Sequence, residues 1–145
     1  MTMDRSSLEQ QKRLVHKFID LSWNQGRLQL AHYLLAKDFV YQVSLHDHPL
    51  NYGQMVELVQ QIRAAMDDFS ITVESLLAEG NQVVSQSTFS GTIRRPLFGF
   101  TPSDKLVALT AVTFWQLKRG VIQSAHTIID TADLHHQYQR IQAVS

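Results

Sequence analysis

The sequence predicts an α+β domain, and three observations predict it. Apolar residues recur at spacings of three and four up to Met66, then switch to period two from Phe69 onward. The two kinds of pattern are segregated along the chain rather than alternating. Glu79-Gly80-Asn81 and Lys118-Arg119-Gly120 are turn signals between strand patterns, so they read as hairpins. The expected order is three helices with one early strand, then four antiparallel strands. The helices would cover one face of a curved sheet, in a single domain over residues 1–145.

Each element has its own signal. Ser6 or Ser7 can cap a first helix, with Glu9 or Gln10 completing a capping box. Leu8, Val15, Phe18, Ile19 and Ser22 then follow helical spacing, and Gly26 supplies the stop. A short second helix covers Leu28 to Leu35, and Asp38 to Val43 reads as a short strand. Ser44 to Tyr52 is a loop of His, Asp, Pro and Asn. After Gly53, a third helix carries Met55, Val56, Leu58, Val59, Ile62 and Met66 and ends at Asp67-Asp68. Phe69 to Val73 alternates as a strand, and Asn81 to Thr92 is its long partner. Residues 93–104 form a loop, Lys105 to Leu117 is the next strand, and Val121 to Asp130 returns after the hairpin. A short helix follows from Thr131 and frays near Ser145.

Composition narrows the function. Charged residues are 18% and hydrophobic residues 44%, an ordinary globular balance. There is no cysteine, which excludes disulfides, thiolate metal sites and a cysteine nucleophile. Thirteen basic residues balance thirteen acidic ones with no basic block, so nucleic-acid binding is not expected. No apolar run approaches the ~20 residues of a membrane helix, and the N-terminus lacks a signal-peptide core. The expectation is a cytoplasmic protein without membrane or nucleic-acid partners. P-loop, Gly-x-Gly-x-x-Gly, Gly-x-Ser-x-Gly and His-Glu-x-x-His motifs are absent.

Short motifs in a particular order carry a resemblance. They are Trp23-Asn24-x-Gly26, Asp38-Phe39-Val40, Arg63-Ala64-Ala65 with Asp68-Phe69, and Val73-Glu74-x-Leu76-x-Ala78-Glu79-Gly80. They continue with Gly91-Thr92, Gly99, Pro102 and Lys105, then Gly120-x-Ile122, Asp130-Thr131 and Leu134. Over roughly residues 10–140 the chain resembles the SnoaL-like polyketide cyclase family. The resemblance implies the nuclear-transport-factor-2-like fold. That fold is a cone-shaped α+β barrel, with three N-terminal helices on a curved, mostly antiparallel sheet and a deep pocket between. It also implies a homodimer through the sheet. Its cyclases close rings by an aldol step without metal or other cofactor, using an aspartate near the end of the last strand. By position that aspartate is Asp130. His126, Ile129, Tyr41-Gln42 and Arg94-Arg95 depart from the family pattern, so the pocket is expected to differ from that of a standard cyclase.

The expected site follows. Alternation puts Ile122, Ser124, His126, Ile128 and Asp130 on one strand face. If that face is inward, Asp130 is the general acid/base and His126 the second catalytic group, about 13 Å away at ~3.3 Å per residue. The competing reading of Asp130 is an N-cap for the helix beginning Thr-Ala-Asp-Leu. That of His126 is a histidine bonded to backbone. Tyr41 or Gln42 would hydrogen-bond an enolate oxygen, and Phe18, Trp115, Ile128 and His46 complete the expected lining. Arg94-Arg95 can bind an anion or stand as a solvated pair. His46-Asp47-His48 has metal-ligand residue types, but adjacent side chains diverge, so no metal is expected. The leading reading is cofactor-free chemistry on a small apolar carbonyl compound: cyclisation, isomerisation or hydration–dehydration, by a cyclase-like lyase or isomerase. The alternative is a non-catalytic ligand-binding or dimeric scaffold of the same fold. A cavity below ~300 Å³ would weigh against both small-molecule readings.

Overall fold

The computed structural model describes residues 4–144. The expected fraying near Ser145 lies outside them. Helix α1 spans Arg5–Ile19. Its cap is Asp4, ahead of the serines, with the carboxylate accepting from the Ser7 amide at 2.8 Å. Val15, Phe18 and Ile19 are its buried stripe. The helix then widens into a π-helical stretch, Asp20–Asn24, which buries Leu21, Ser22 and Trp23 in succession. Helix α2, Leu28–Ala31, runs into a 3-10 turn, His32–Leu34. Strand β1, Leu35–Val43, begins earlier than expected. Helix α3, Tyr52–Ala65, starts at a capping box made by Asn51 and Gln54.

Strand β2 (Met66–Glu79) follows α3 directly, and β3 (Gln82–Ile93), β4 (Leu106–Lys118) and β5 (Val121–Ile129) complete the sheet. The β4–β5 hairpin turns at Arg119 and Gly120, both with positive φ (53° and 80°), the primed geometry that matches strand twist. A fourth helix, α4, spans Thr131–Val144. The sheet order is β1-β5-β4-β3-β2. It is mixed, because β1 runs parallel to β5 while the other pairs are antiparallel. No helix of the described residues is long and apolar enough to cross a membrane.

The Trp23-Asn24-x-Gly26 motif has a structural task. The Asn24 Oδ1 accepts from the Ile71 amide at 2.8 Å, and its Nδ2 donates to the Ile71 carbonyl at 3.0 Å. β2 is an edge strand, so Asn24 satisfies backbone groups that would otherwise face an open edge. Gly26 (φ +68°) lies against Arg63, whose Nη1 would sit 1.6 Å from an added Cβ. Arg63 in turn donates to the Asn24 carbonyl at 3.2 Å. The motif thus ties the end of α1 to both β2 and α3.

One irregularity decides which side chains face the helices. Leu117 pairs with Ile122, but the adjacent Gln116 pairs with Ser124, so Gln123 is an extra residue in β5. Such a bulge flips the alternation beyond it. Ile122 is buried, and after the bulge Ala125 and Thr127 are the buried positions. Ser124 is half-buried, while His126, Ile128 and Asp130 are exposed. The expectation that these residues share an inward face with Ile122 is therefore corrected.

Candidate functional site

The inner face of the sheet is built from odd-numbered residues. Tyr41 and Val43 of β1, Phe89 and Ile93 of β3, Val107 and Leu109 of β4, and Ile129 of β5 all line one cavity of about 60 Å³. Trp23, Phe69 and Leu134 close its sides. Leu97, Phe98 and Phe100, from the loop between β3 and β4, also line it. Trp23 meets Phe89 edge-on with ring centroids 5.1 Å apart, and Phe69 packs on Phe89 at 5.9 Å. As it stands the cavity has room for about two waters, far below the ~300 Å³ of ordinary ligand sites, and without rearrangement that volume weighs against both small-molecule readings.

Below it lies a second void of about 10 Å³, lined in part by Ser87, Thr113, Thr127 and Trp115. Trp23, Tyr41 and Phe89 line both spaces, so the void adjoins the apolar cavity through these three residues. A run of hydroxyls lines this void. The Tyr41 hydroxyl donates to Thr127 Oγ1 at 3.1 Å, and the Thr127 and Thr113 hydroxyls are 2.7 Å apart. Thr113 and Thr127 are direct cross-strand partners, which fixes that short contact. Trp115 Nε1 donates to Ser85 Oγ at 2.8 Å. Among the described residues no buried side-chain polar atom lacks a partner. Among them, too, Tyr41 is the only ionisable side chain lining either space. Burial pushes its pKa up to about 12, because the phenolate would be stranded without solvent. It is therefore a hydrogen-bond donor at neutral pH and not a base.

The other expected site residues lie elsewhere. Asp130 is exposed, and its Oδ1 accepts from the Asp133 amide at 3.0 Å, which is the capping geometry. His126, Ile128 and Gln42 stand on the outer face of the sheet. His46 is exposed in the turn after β1, its ring 6.4 Å from that of His48. Phe18 is fully buried but belongs to the core, edge-on to Trp115 at 5.7 Å and outside both cavity linings. Arg94 pairs with Asp67 at 3.0 Å on the surface, where such a bridge contributes little. Among the described residues no group of three His, Asp or Glu stands close enough to hold a metal ion. Sequence reasoning does not single out Ser87, Thr113 or Thr127 as site residues. A signal exists for Thr113, a hydroxyl within the row Val107, Leu109, Ala111, Trp115 and Leu117.

The profile of the SnoaL-like polyketide cyclase family matches residues 13–138. Three solved structures resemble the chain. A SnoaL-like protein from Jannaschia sp. CCS1 is 20% identical with a TM-score of 0.80, covering 92% of this chain and 94% of that one. An LEH-like epoxide hydrolase from M. tuberculosis is 17% identical with a TM-score of 0.70, covering 94% and 95%. A protein of ketosteroid isomerase-like fold from Catenulispora acidiphila DSM 44928, in complex with trimethylamine, is 15% identical with a TM-score of 0.64, covering 79% and 82%. At these identities the likeness shows the fold alone. No curated protein matches the sequence.

Proposed function

The chain belongs to the SnoaL-like polyketide cyclase family, and we propose that it holds a small, largely apolar carbonyl compound between the helices and the inner face of the sheet. The observation that carries this reading is the contrast between the two adjoining spaces. The cavity's lining is apolar, and Tyr41, which lines it, leads into the Tyr41–Thr127–Thr113 hydroxyl run of the adjoining void. A carbonyl oxygen reaching Tyr41 would accept from a neutral hydroxyl. A carboxylate would be stripped of water with no cation to meet it, which is costly.

General acid/base chemistry by Asp130 and His126, whether cyclisation, isomerisation or hydration–dehydration, would need both groups to reach the ligand. Asp130 is engaged with the Asp133 amide, and His126 is on the far side of the sheet. The non-catalytic binding function is thus the one the geometry favours, with the Tyr41 hydroxyl turning from Thr127 Oγ1 to donate to the carbonyl. Calorimetric titration with 2-acetylnaphthalene and 2-naphthoate at pH 7 tests it. The ketone should bind about tenfold more tightly than the carboxylate, and Tyr41→Phe should weaken the ketone by about three- to tenfold, the value of one hydrogen bond. Equal affinity for the two compounds, or indifference to Tyr41→Phe, would overturn it.

A further inference from the structure

The cavity of about 60 Å³ is too small for any compound of the class proposed. Something that now fills the site must leave, and the loop between β3 and β4 is the element built to do so. Leu97, Phe98 and Phe100 supply three large apolar side chains to the lining from four consecutive positions. Leu97 and Phe100 bond to each other through both backbone pairs, at 3.1 and 2.8 Å, which makes a self-contained tight turn. Its neck is anchored to the body of the fold. The Arg94 and Arg95 amides donate to the Ala65 carbonyl, and the Ser103 amide to the Ile93 carbonyl. Its tip is held mainly by packing, with Phe100 against His135 at 4.8 Å and against Tyr138 at 4.9 Å. The Tyr138 hydroxyl also donates to the Thr101 carbonyl. Phe98 sits at φ +48°, a conformation bulky side chains rarely hold, and it is 40% exposed although it is among the residues lining the cavity.

We infer that the Leu97–Phe100 turn is a displaceable plug: its apolar side chains occupy the mouth of the site when it is empty, and the apolar body of the ligand takes their place. This rests on the carbonyl-ligand reading above. Swinging the turn outward requires no loss of sheet pairing, because the turn's backbone bonds are internal. The closed state lowers apparent affinity by the fraction of molecules that are open, so weakening the plug should tighten binding. The turn also acts on selectivity, since a ligand must bury at least as much apolar surface as it displaces.

The chain has no cysteine, so Leu97→Cys introduces a single thiol reporter at a buried position. The probe is Prodan, a neutral naphthyl ketone whose emission reports an apolar site. Labelling of the Leu97→Cys thiol by monobromobimane should be slow alone and about fivefold faster under saturating Prodan, and Phe98→Ala should bind Prodan about fivefold more tightly than the native chain. If Prodan binds but labelling is unchanged or slowed, the plug is overturned and the carbonyl site stands. The plug is likewise overturned if Phe98→Ala binds no more tightly than the native chain, a comparison that holds even if Leu97→Cys fails to fold. If Prodan binds neither the native chain nor Phe98→Ala, both the plug and the carbonyl site fall.

Discussion

At the residue scale, Asp130 adopts the capping one of its two readings, and Tyr41 is the buried member of the Tyr41-Gln42 pair. Asp130 ends a strand and begins a helix, and its carboxylate is committed to the Asp133 amide. Asparagine caps as well as aspartate, whereas alanine cannot accept the amide's hydrogen bond. Asp130→Asn should therefore leave urea stability nearly unchanged, while Asp130→Ala should lose about 1 kcal/mol. Loss of ligand binding in Asp130→Asn with stability intact would return the residue to the site. Tyr41 lines the cavity with its hydroxyl bonded to Thr127, and its titration makes a second test. Its pKa is raised on folding, from 10.0 to about 12, mainly by desolvation. The stability contributed by this neutral hydroxyl is fully present below the unfolded pKa near 10 and is lost as pH rises through about 12. Unfolding free energy should fall across that window by up to about 1.4 kcal/mol per pH unit from this group. Tyr41→Phe should remove that part of the slope, and an unaltered slope would mean the hydroxyl is not buried in solution.

At the element scale, the sequence shows the strands and helices more readily than it shows their faces. Periodicity and turn residues locate the elements to within a few positions, and the β4–β5 hairpin is explicit in Lys118-Arg119-Gly120. Nothing in Ile122-Gln123-Ser124 announces the bulge, because any residue can occupy one. Yet that single extra residue turns His126 and Ile128 outward and Thr127 inward. Simple alternation misplaces the candidate site at β5 for this reason, whereas Tyr41 and Trp115 lie on strands whose alternation holds at those positions. The parallel β1–β5 pairing is equally hidden, since it joins residues more than eighty positions apart. Asn24 shows the opposite case, a motif residue visible in sequence whose task appears only in the fold. Its side chain completes the β2 edge at Ile71, so Asn24→Ala should cost about 2–3 kcal/mol in chemical denaturation, the loss of two hydrogen bonds with the Ile71 amide and carbonyl left unpaired. A cost below about 0.5 kcal/mol would mean that water replaces the amide without loss.

At the scale of the whole molecule, most surfaces through which the sheet could associate are already occupied. The β2 edge is closed at Ile71 by Asn24, and the β1 edge at Tyr41 by the Leu50 backbone, with bonds of 2.8 and 2.7 Å. The inner face is covered by helices and the plug. What remains is the outer face, where cross-strand partners form the row Gln42, His126, Phe114, Val84 and Leu77. Beside it runs a second row, Ile128, Val112, Gln86 and Ser75. Neither row carries a carboxylate, lysine or arginine, yet Phe114 is 38% exposed, Ile128 48% and Leu77 70%. In a two-fold dimer the same patch meets itself, so any fixed charge at its centre would oppose its own copy. A face with apolar side chains and no such charge fits a second copy of this chain, and the homodimer is the expected state. Sedimentation velocity at tens of micromolar should give a dimer. Phe114→Arg should give a folded monomer with unchanged circular dichroism, because the side chain is on the surface and contributes little to the core. A native chain that sediments as a monomer would reject this interface. A Phe114→Arg variant that remains dimeric would move it to another surface.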